Sequence, residues 1–263
     1  MRKFSGLFIL ALIACFLVTP GCCHSLSSAD DKIVTNLLPN PNNFVKSTVM
    51  LQVRGKVVIK LGKDVTKQPT GISASGVAID KKHILTAGHF CEPVVSGQSK
   101  EGITSGIAKI FFKKNIEMYY LNTNEEVVKM NGAKIIAWDK EKDICLVELR
   151  GHGIIPAKIA APSSIRRGDK VYIVGAPLGV AFTKTEGEVA IPSIQFEEKE
   201  AAHVNGRILV TAPATNGNSG GPCFNERGEI IGVVMAGADG YDHLTILTPS
   251  KYILSFLKKV HKD

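Results

Sequence analysis

Short apolar runs separated by polar turns follow one another along the chain from about residue 47. The runs are rich in Val, Ile and aromatic residues and are bounded by Gly, Asn, Asp and Lys, which is typical of β-strands. They fall into two groups, separated by a Gly-, Pro-, Ala- and Ser-rich connector at 150–170. The first group contains STVMLQVRGKVVIKLG, SGVAID, HILTA, AKIFF, AKIIAW and ICLVELR, and the second contains KVYIVGA, FTKTEGEVA, RILVTA, EIIGVVMAG and HLTILTP.

The pattern predicts one helix, at 251–263, where apolar residues recur at helical spacing and Ser250 is a candidate cap. Because no helices are predicted between the strands, two antiparallel barrels fit better than alternating β and α units. The predicted fold is therefore all-β, with two antiparallel six-stranded β-barrels over about 47–155 and 165–250 and a cleft between them. The five apolar positions of the helix are Tyr252, Ile253, Phe256, Leu257 and Val260.

Composition agrees with a soluble globular domain, since 44% of the 263 residues are hydrophobic and 21% are charged. The formal net charge is +8, but the lysines are scattered and interleaved with acids. The sequence has no basic stripe with interleaved aromatic residues, so we interpret the charge as a solvated surface and predict no nucleic-acid partner.

Residues 1–22 have the layout of a secretory signal: a basic start, an apolar run at 4–18, and then TPGCC. The run is shorter than the about 20 residues that a membrane span needs. A cysteine at this place resembles a bacterial lipoprotein signal, with Cys22 favoured for lipidation over Cys15, and an uncleaved membrane anchor is the alternative. We expect an exported protein of the cell envelope or periplasm, with 23–46 as a linker or N-terminal arm.

Cys91, Cys145 and Cys223 remain outside the leader, an odd number that cannot all pair within the chain. None has CxxC spacing, so a structural metal site is weakly supported. A metal site built from these cysteines and His89 matches no known ligand spacing. The prediction is small, buried, unreactive thiols, with no metal and no cofactor.

Three residues could together perform nucleophilic catalysis, which needs a hydroxyl, a base and a group that orients the base. His89 follows HILTAG, where a strand enters a tight turn, and Asp143 directly precedes the apolar run ICLVEL. Asp139, four residues earlier, is the alternative carboxylate. Ser219 lies in NGNSGGP, whose glycines allow unusual backbone conformations. The base and the carboxylate fall in the first strand group and the serine in the second, which predicts a site in the cleft.

These motifs resemble those of trypsin- and chymotrypsin-like serine peptidases, and most closely the bacterial HtrA-like branch. The similar stretches, covering about 47–257, are SGVAID, LTAGH, DKEKDICLVEL, GAPLGVAFTKTEGEV and NGNSGGPCFNERGEIIGVV. The resemblance implies a double barrel that hydrolyses polypeptides, with His89 as general base and acid, Asp143 as its orienting partner and Ser219 as nucleophile. It also implies an oxyanion hole in the segment Gly217, Asn218 and Ser219, formed by the first and last of these amides.

The sequence departs from the family in two respects. HtrA-like peptidases usually carry a PDZ domain, but only about a dozen residues follow the last motif, so control through PDZ is not expected. Many trypsin-like relatives pair a cysteine before the histidine motif with one after it; Cys91 stands near the second place, but SGVAID offers no partner, so that disulfide is expected to be absent. Oligomerisation through the N-terminal segment stays open.

The residue six before the serine, where trypsin-like specificity places an acid, is Pro213. The resemblance therefore favours cleavage after small or medium apolar residues. His243 could favour acidic side chains at the pocket rim, or it is a surface histidine. The predicted pocket consists of Pro213, Ala214, Thr215, Met235, Ala236, Gly237 and His243.

Two rival interpretations remain. GNSGG also fits the GxSxG elbow of α/β-hydrolases, but that family runs serine, acid, histidine and needs further βα units, and none are predicted after Ser219. The other is a catalytically silent trypsin-like binding module. Its usual sign is a missing triad residue, and none is missing here.

Overall fold

The computed structural model describes residues 44–61, 63–96, 108–151, 154–180, 182–238 and 241–261. Within them, twelve antiparallel strands form two closed barrels with neighbour orders β1-β2-β3-β6-β5-β4 and β10-β11-β12-β9-β8-β7. The predicted all-β fold with two six-stranded barrels is therefore confirmed. The first barrel consists of β1 (Thr48–Leu61), β2 (Asp64–Ala78), β3 (His83–Thr86), β4 (Ala108–Leu121), β5 (Val127–Asp139) and β6 (Ile144–Glu148). The second consists of β7 (Lys170–Gly175), β8 (Thr183–Ile191), β9 (Ile208–Val210), β10 (Pro222–Asn225), β11 (Ile230–Ala238) and β12 (Tyr241–Pro249).

In the described part of the chain, two α-helices accompany the barrels, α1 (Gly88–Ser96) and α2 (Ser250–Val260). Helix α2 was predicted, but Ser250 is its first residue rather than its cap: Pro249 is the N-cap, and the buried Ser250 Oγ has no partner among the described residues. Helix α1 differs from the sequence prediction, which places a tight turn around His89. Short 3-10 helices span Phe44–Ser47, Pro162–Ser164, Pro177–Gly179 and Lys199–Val204.

A hydrophobic cluster joins the two barrels and includes the start of the described chain. Phe44 is 2% exposed and stacks on Phe224 of the second barrel with ring centroids 5.1 Å apart. The last residues of the predicted arm are therefore packed into the fold. The predicted signal and Cys22 lie outside the described residues, and no helix of the described part is long and apolar enough to cross a membrane.

The cysteine prediction is wrong for two of the three thiols. Cys91 in α1 and Cys145 in β6 form a disulfide, with Cα atoms 6.4 Å apart. The partner of Cys91 lies within the aspartate motif, two residues after Asp143, and not before the histidine motif, which is why SGVAID offers none. Cys223 is buried and free, and burial raises the pKa of its thiol.

Candidate active site

Helix α1 begins against the loop that carries Asp143. A Cβ at Gly88 would lie 2.9 Å from the Ile144 nitrogen and 3.1 Å from the Asp143 carbonyl carbon and the Asp139 oxygen. Only glycine lets the two segments approach this closely. The glycine of LTAGH therefore brings the helix start and the Asp143 loop into direct contact.

His89 and Asp143 form a three-contact pair. The His89 backbone N–H donates to Asp143 Oδ1 at 2.7 Å, and His89 Nδ1 lies 3.0 Å from both carboxylate oxygens. Asp143 is 7% exposed, whereas the His89 side chain is 49% exposed. Because a carboxylate only accepts hydrogen bonds, Nδ1 carries the proton, and the neutral ring keeps Nε2 as a base.

The Cys91–Cys145 disulfide reinforces this pair. Each cysteine lies two residues after its catalytic candidate, one in α1 after His89 and one in β6 after Asp143. The elements that carry the pair are thus joined covalently as well as by hydrogen bonds.

Asp139, the alternative carboxylate, has a different partner. Its Oδ1 accepts from the Lys142 backbone N–H at 2.9 Å, and its Oδ2 lies 2.7 Å from Lys142 Nζ. Partial burial raises the pKa of Asp139, but the hydrogen bonds and charge of Lys142 outweigh burial and hold it below its ordinary value. Asp139 therefore stabilises the turn.

The loop that carries Ser219 is pressed against the segment leading to His89. The Ser75 N–H donates to the Ser219 carbonyl at 2.8 Å. Gly220 has a φ of 78°, and a Cβ there would overlap Thr86 Oγ1 and the Ala87 nitrogen. This close approach brings the serine loop of the second barrel to the end of β3 in the first.

The backbone around Ser219 leaves two amides available. Gly217 has a φ of 100°, and a Cβ there would overlap the Ala176 carbonyl. The Asn218 N–H donates to the Thr215 carbonyl at 3.0 Å, whereas the amides of Gly217 and Ser219 donate to no carbonyl among the described residues. The Asn218 amide is thus engaged in the turn, and the other two can serve an incoming oxyanion.

Ser75 is a buried residue with no role predicted from the sequence. Its hydroxyl donates to the Gly217 carbonyl and accepts from the Ala176 N–H, both at 2.8 Å. The Leu178 N–H also donates to the Asn216 carbonyl at 2.8 Å. Because a trans peptide points its N–H opposite to its carbonyl, this bond turns the Gly217 N–H away from Leu178. SGVAID resembles a stretch of the trypsin-like peptidases, but no sequence motif distinguishes this hydroxyl.

Six of the seven predicted pocket residues lie on two neighbouring backbone segments, 213–215 and 235–237. A Cβ at Gly237 would lie 3.6 Å from the Ala214 carbonyl oxygen, so the gap between the segments is narrow there. Met235 is half-buried. His243 is exposed on β12, two residues before Thr245, which pairs with Gly237.

The described part of the chain contains no group of three or more His, Cys, Asp or Glu residues that could hold a metal ion. Two of the four residues considered as metal ligands, Cys91 and Cys145, are joined in the disulfide. A disulfide leaves no thiolate for a metal to bind.

Comparison with known proteins gives consistent matches. The family model described as trypsin-like peptidase domain matches residues 74–233, more than half of the chain. The serine protease Do-like HtrB of Bacillus subtilis is 30% identical over 161 residues, 54% of this chain and 35% of its own length. A serine protease HtrA-like protein of Staphylococcus aureus is 28% identical over 223 residues, 80% of this chain and 26% of its own.

A probable periplasmic serine endoprotease DegP-like of Ectopseudomonas mendocina is 26% identical over 135 residues, 50% of this chain and 28% of its own. The matches thus span about a third or less of these relatives. A solved structure of an HtrA-type protease with a tripeptide has a TM-score of 0.58 at 17% identity, covering 82% of this chain and 60% of that one. That likeness concerns the fold.

Proposed function

The chain belongs to the family of trypsin-like peptidases, and from this we propose that it is a serine endopeptidase acting on polypeptides through an acyl-enzyme. The observation that carries the proposal is the His89–Asp143 pair, with its 2.7 Å and 3.0 Å contacts, beside the loop of Ser219. The pair supplies a base of fixed tautomer, and the loop supplies a hydroxyl and two unengaged amides.

In the proposed reaction, His89 Nε2 takes the proton of Ser219 Oγ as that oxygen attacks the substrate carbonyl carbon. The carbonyl oxygen becomes an oxyanion, to which the Gly217 and Ser219 amides donate. Donors of this kind contribute about 10²–10³ in kcat each. Asp143 stabilises the imidazolium, which then protonates the leaving amine. Water, deprotonated by His89, releases the acyl group from Ser219.

Labelling with a fluorophosphonate tests this proposal. An activated serine attacks phosphorus and expels fluoride, so the label reports the nucleophile without a known substrate. We expect the folded wild-type chain to gain one phosphonyl group, located by mass spectrometry on Ser219. A folded chain that takes no label there, as a silent binding module would, contradicts the proposal.

We propose a preference for small or medium apolar residues before the cleaved bond. The segments 213–215 and 235–237 contain no acid that could pair with Arg or Lys, and the narrow gap at Gly237 favours small side chains. Digestion of a peptide library should give cuts mostly after Val, Ala or Leu. Cuts mainly after Arg, Lys or Glu would contradict this preference, and a strong Glu signal would implicate His243.

We also propose that the protein is exported to the cell envelope. The layout of residues 1–22 supports this, and lipidation at Cys22 would retain the chain at a membrane. A relative is named as periplasmic. The Cys91–Cys145 disulfide adds support, because disulfides persist in oxidising compartments. Cell fractionation tests the placement, and recovery of the chain in the cytosol would contradict it.

A further inference from the structure

A buried arginine of the second barrel reaches into the first barrel beside the candidate aspartate. Arg207 directly precedes β9 and is 2% exposed. Its guanidinium contacts the backbone of the loop between β5 and β6, which ends at Asp143. Burying a cation costs free energy unless hydrogen bonds or opposite charges compensate for the lost water. The contacts of the Arg207 guanidinium therefore indicate its role.

Three hydrogen bonds hold the guanidinium. Nη2 donates to the Glu141 carbonyl at 2.7 Å, and Nη1 donates to the Lys142 carbonyl and to Thr248 Oγ1, each at 2.7 Å. Thr248, fully buried on β12, donates in turn to the same Lys142 carbonyl at 3.0 Å. Two residues of the second barrel therefore converge on one carbonyl of the first. The planar fork of arginine suits such a pair of neighbouring acceptors.

That carbonyl belongs to the peptide bond that leads into Asp143. Asp143 has a φ of 53°, a left-handed conformation that non-glycine residues seldom adopt and that surrounding contacts must hold. Fixing the Lys142–Asp143 peptide fixes one side of this φ angle. The position of the Asp143 carboxylate under His89 thus depends on the contacts that Arg207 and Thr248 make with the Lys142 carbonyl.

The positive charge of Arg207 also favours the Asp143 carboxylate in this position. Burial lowers the pKa of the Arg207 guanidinium, and the negative charge of Asp143 opposes that shift more than any other group does. Arginine stays protonated in proteins, so a permanent positive charge stands near the Asp143 carboxylate. The guanidinium also lies 5.3 Å from the ring centroid of Tyr252 in α2, which covers it.

We propose that Arg207 is a positioning residue for catalysis: by holding the Glu141 and Lys142 carbonyls, it sets the Asp143 carboxylate in place to orient His89. It acts through Asp143 and touches no substrate. Through this contact the docking of the two barrels assembles the His89–Asp143 pair. The inference rests on the proposed serine endopeptidase function.

A double-mutant cycle tests this role, because a residue that acts only through Asp143 should lose its effect once Asp143 is altered. Arg207→Met is expected to lower kcat about ten- to hundredfold, the loss of hydrogen bonds to a charged group, with KM changed less than about twofold. In an Asp143→Asn background, the same change should alter kcat less than about twofold. Fast-reacting peptide esters keep the slow variants measurable.

Matched variants separate positioning from folding. Arg227→Met removes an exposed arginine of the same barrel, paired with Glu229, and should leave kcat unchanged. Thr248→Val removes one bond to the same Lys142 carbonyl while keeping the shape, and should lower kcat by less than Arg207→Met. Arg207→Lys keeps the charge without the fork and should fall between the two. If Arg207→Met does not fold, Thr248→Val and Arg207→Lys take its place in the double-mutant cycle with Asp143→Asn.

A readout without serine chemistry separates this proposal from the proposed function. The His89 Nδ1 proton, bonded to a carboxylate, should resonate far downfield in the proton spectrum, and Arg207→Met should weaken or shift it while Arg227→Met should not. One outcome is that the wild type takes no fluorophosphonate label while Arg207→Met still weakens or shifts the Nδ1 proton signal. That result would contradict the proposed peptidase function but support the positioning of Asp143 by Arg207. An equal fall of kcat in both backgrounds, or an unchanged signal in Arg207→Met, would overturn the role of Arg207.

Discussion

Replacing Ser219 with alanine is expected to abolish fluorophosphonate labelling and to lower kcat for peptide hydrolysis by about 10⁶. Alanine has no oxygen to attack the carbonyl, so His89 and Asp143 lose the group that they activate. The backbone amides at positions 217 and 219 remain in the variant, so a residual acceleration of about 10³–10⁴ over water should persist. Substrate binding should be nearly unchanged, because the variant leaves the proposed pocket segments unaltered.

Ser255→Ala is the matched control. Ser255 is exposed on α2, and its hydroxyl donates to the Tyr252 carbonyl at 2.9 Å. Its replacement should change kcat less than about twofold, as expected for surface substitutions. A fall in kcat of less than about tenfold in Ser219→Ala would assign the nucleophile elsewhere.

The architecture was predictable because the strand signal is local. Runs such as HILTA and KVYIVGA carry their β-branched residues and turn boundaries within a few positions, and both became strands, β3 and β7. Strand β10 was missed because PCFN is four residues long and follows a glycine-rich loop. Its pairing with β7 and β11 forms it, and that tertiary contact leaves no periodic signal in four residues.

Helix α1 was missed for a related reason. It has only nine residues and contains Pro93, which local propensity counts against a helix. Its buried face, with Phe90, Cys91 and Val94 packed into the first barrel, stabilises it instead. The disulfide was not predicted because the family resemblance implies a partner before the histidine motif. Cys145 lies 54 residues after Cys91, and only the fold brings the two together.

The same distinction between local sequence signals and long-range contacts applies to the candidate site. His89, Asp143 and Ser219 carry short motifs, so the sequence could name them and choose Asp143 over Asp139. Arg207 and Ser75 carry none, because their partners lie 65 and 142 residues away in the other barrel. Groups that support a site from the opposite barrel are recognisable only from contacts, since neither their spacing nor their residue type distinguishes them.

Asp143→Asn is expected to lower kcat/KM by about 10⁴ with little change in fold. The reason lies in where the asparagine NH₂ would sit, since the Oδ2 position is 3.0 Å from His89 Nδ1. Asp143 Oδ1 accepts the His89 backbone N–H at 2.7 Å, so the asparagine oxygen should keep that place. Its amide NH₂ then faces Nδ1, which must accept rather than donate. The neutral ring carries its proton on Nε2 and can no longer take one from Ser219.

Asp139→Asn separates this tautomer effect from a general loss of negative charge. Asp139 lies in the same turn, and its asparagine oxygen can still accept the Lys142 backbone N–H, now 2.9 Å away. Steady-state kinetics should show kcat/KM within about threefold of the wild type, because Asp139 contacts Lys142 and takes no part in the His89–Asp143 pair. Comparable losses in the two variants would mean that the site responds to charge in the turn. A large loss in Asp143→Asn alone, with unchanged KM, would mean that Asp143 acts by fixing the His89 proton on Nδ1.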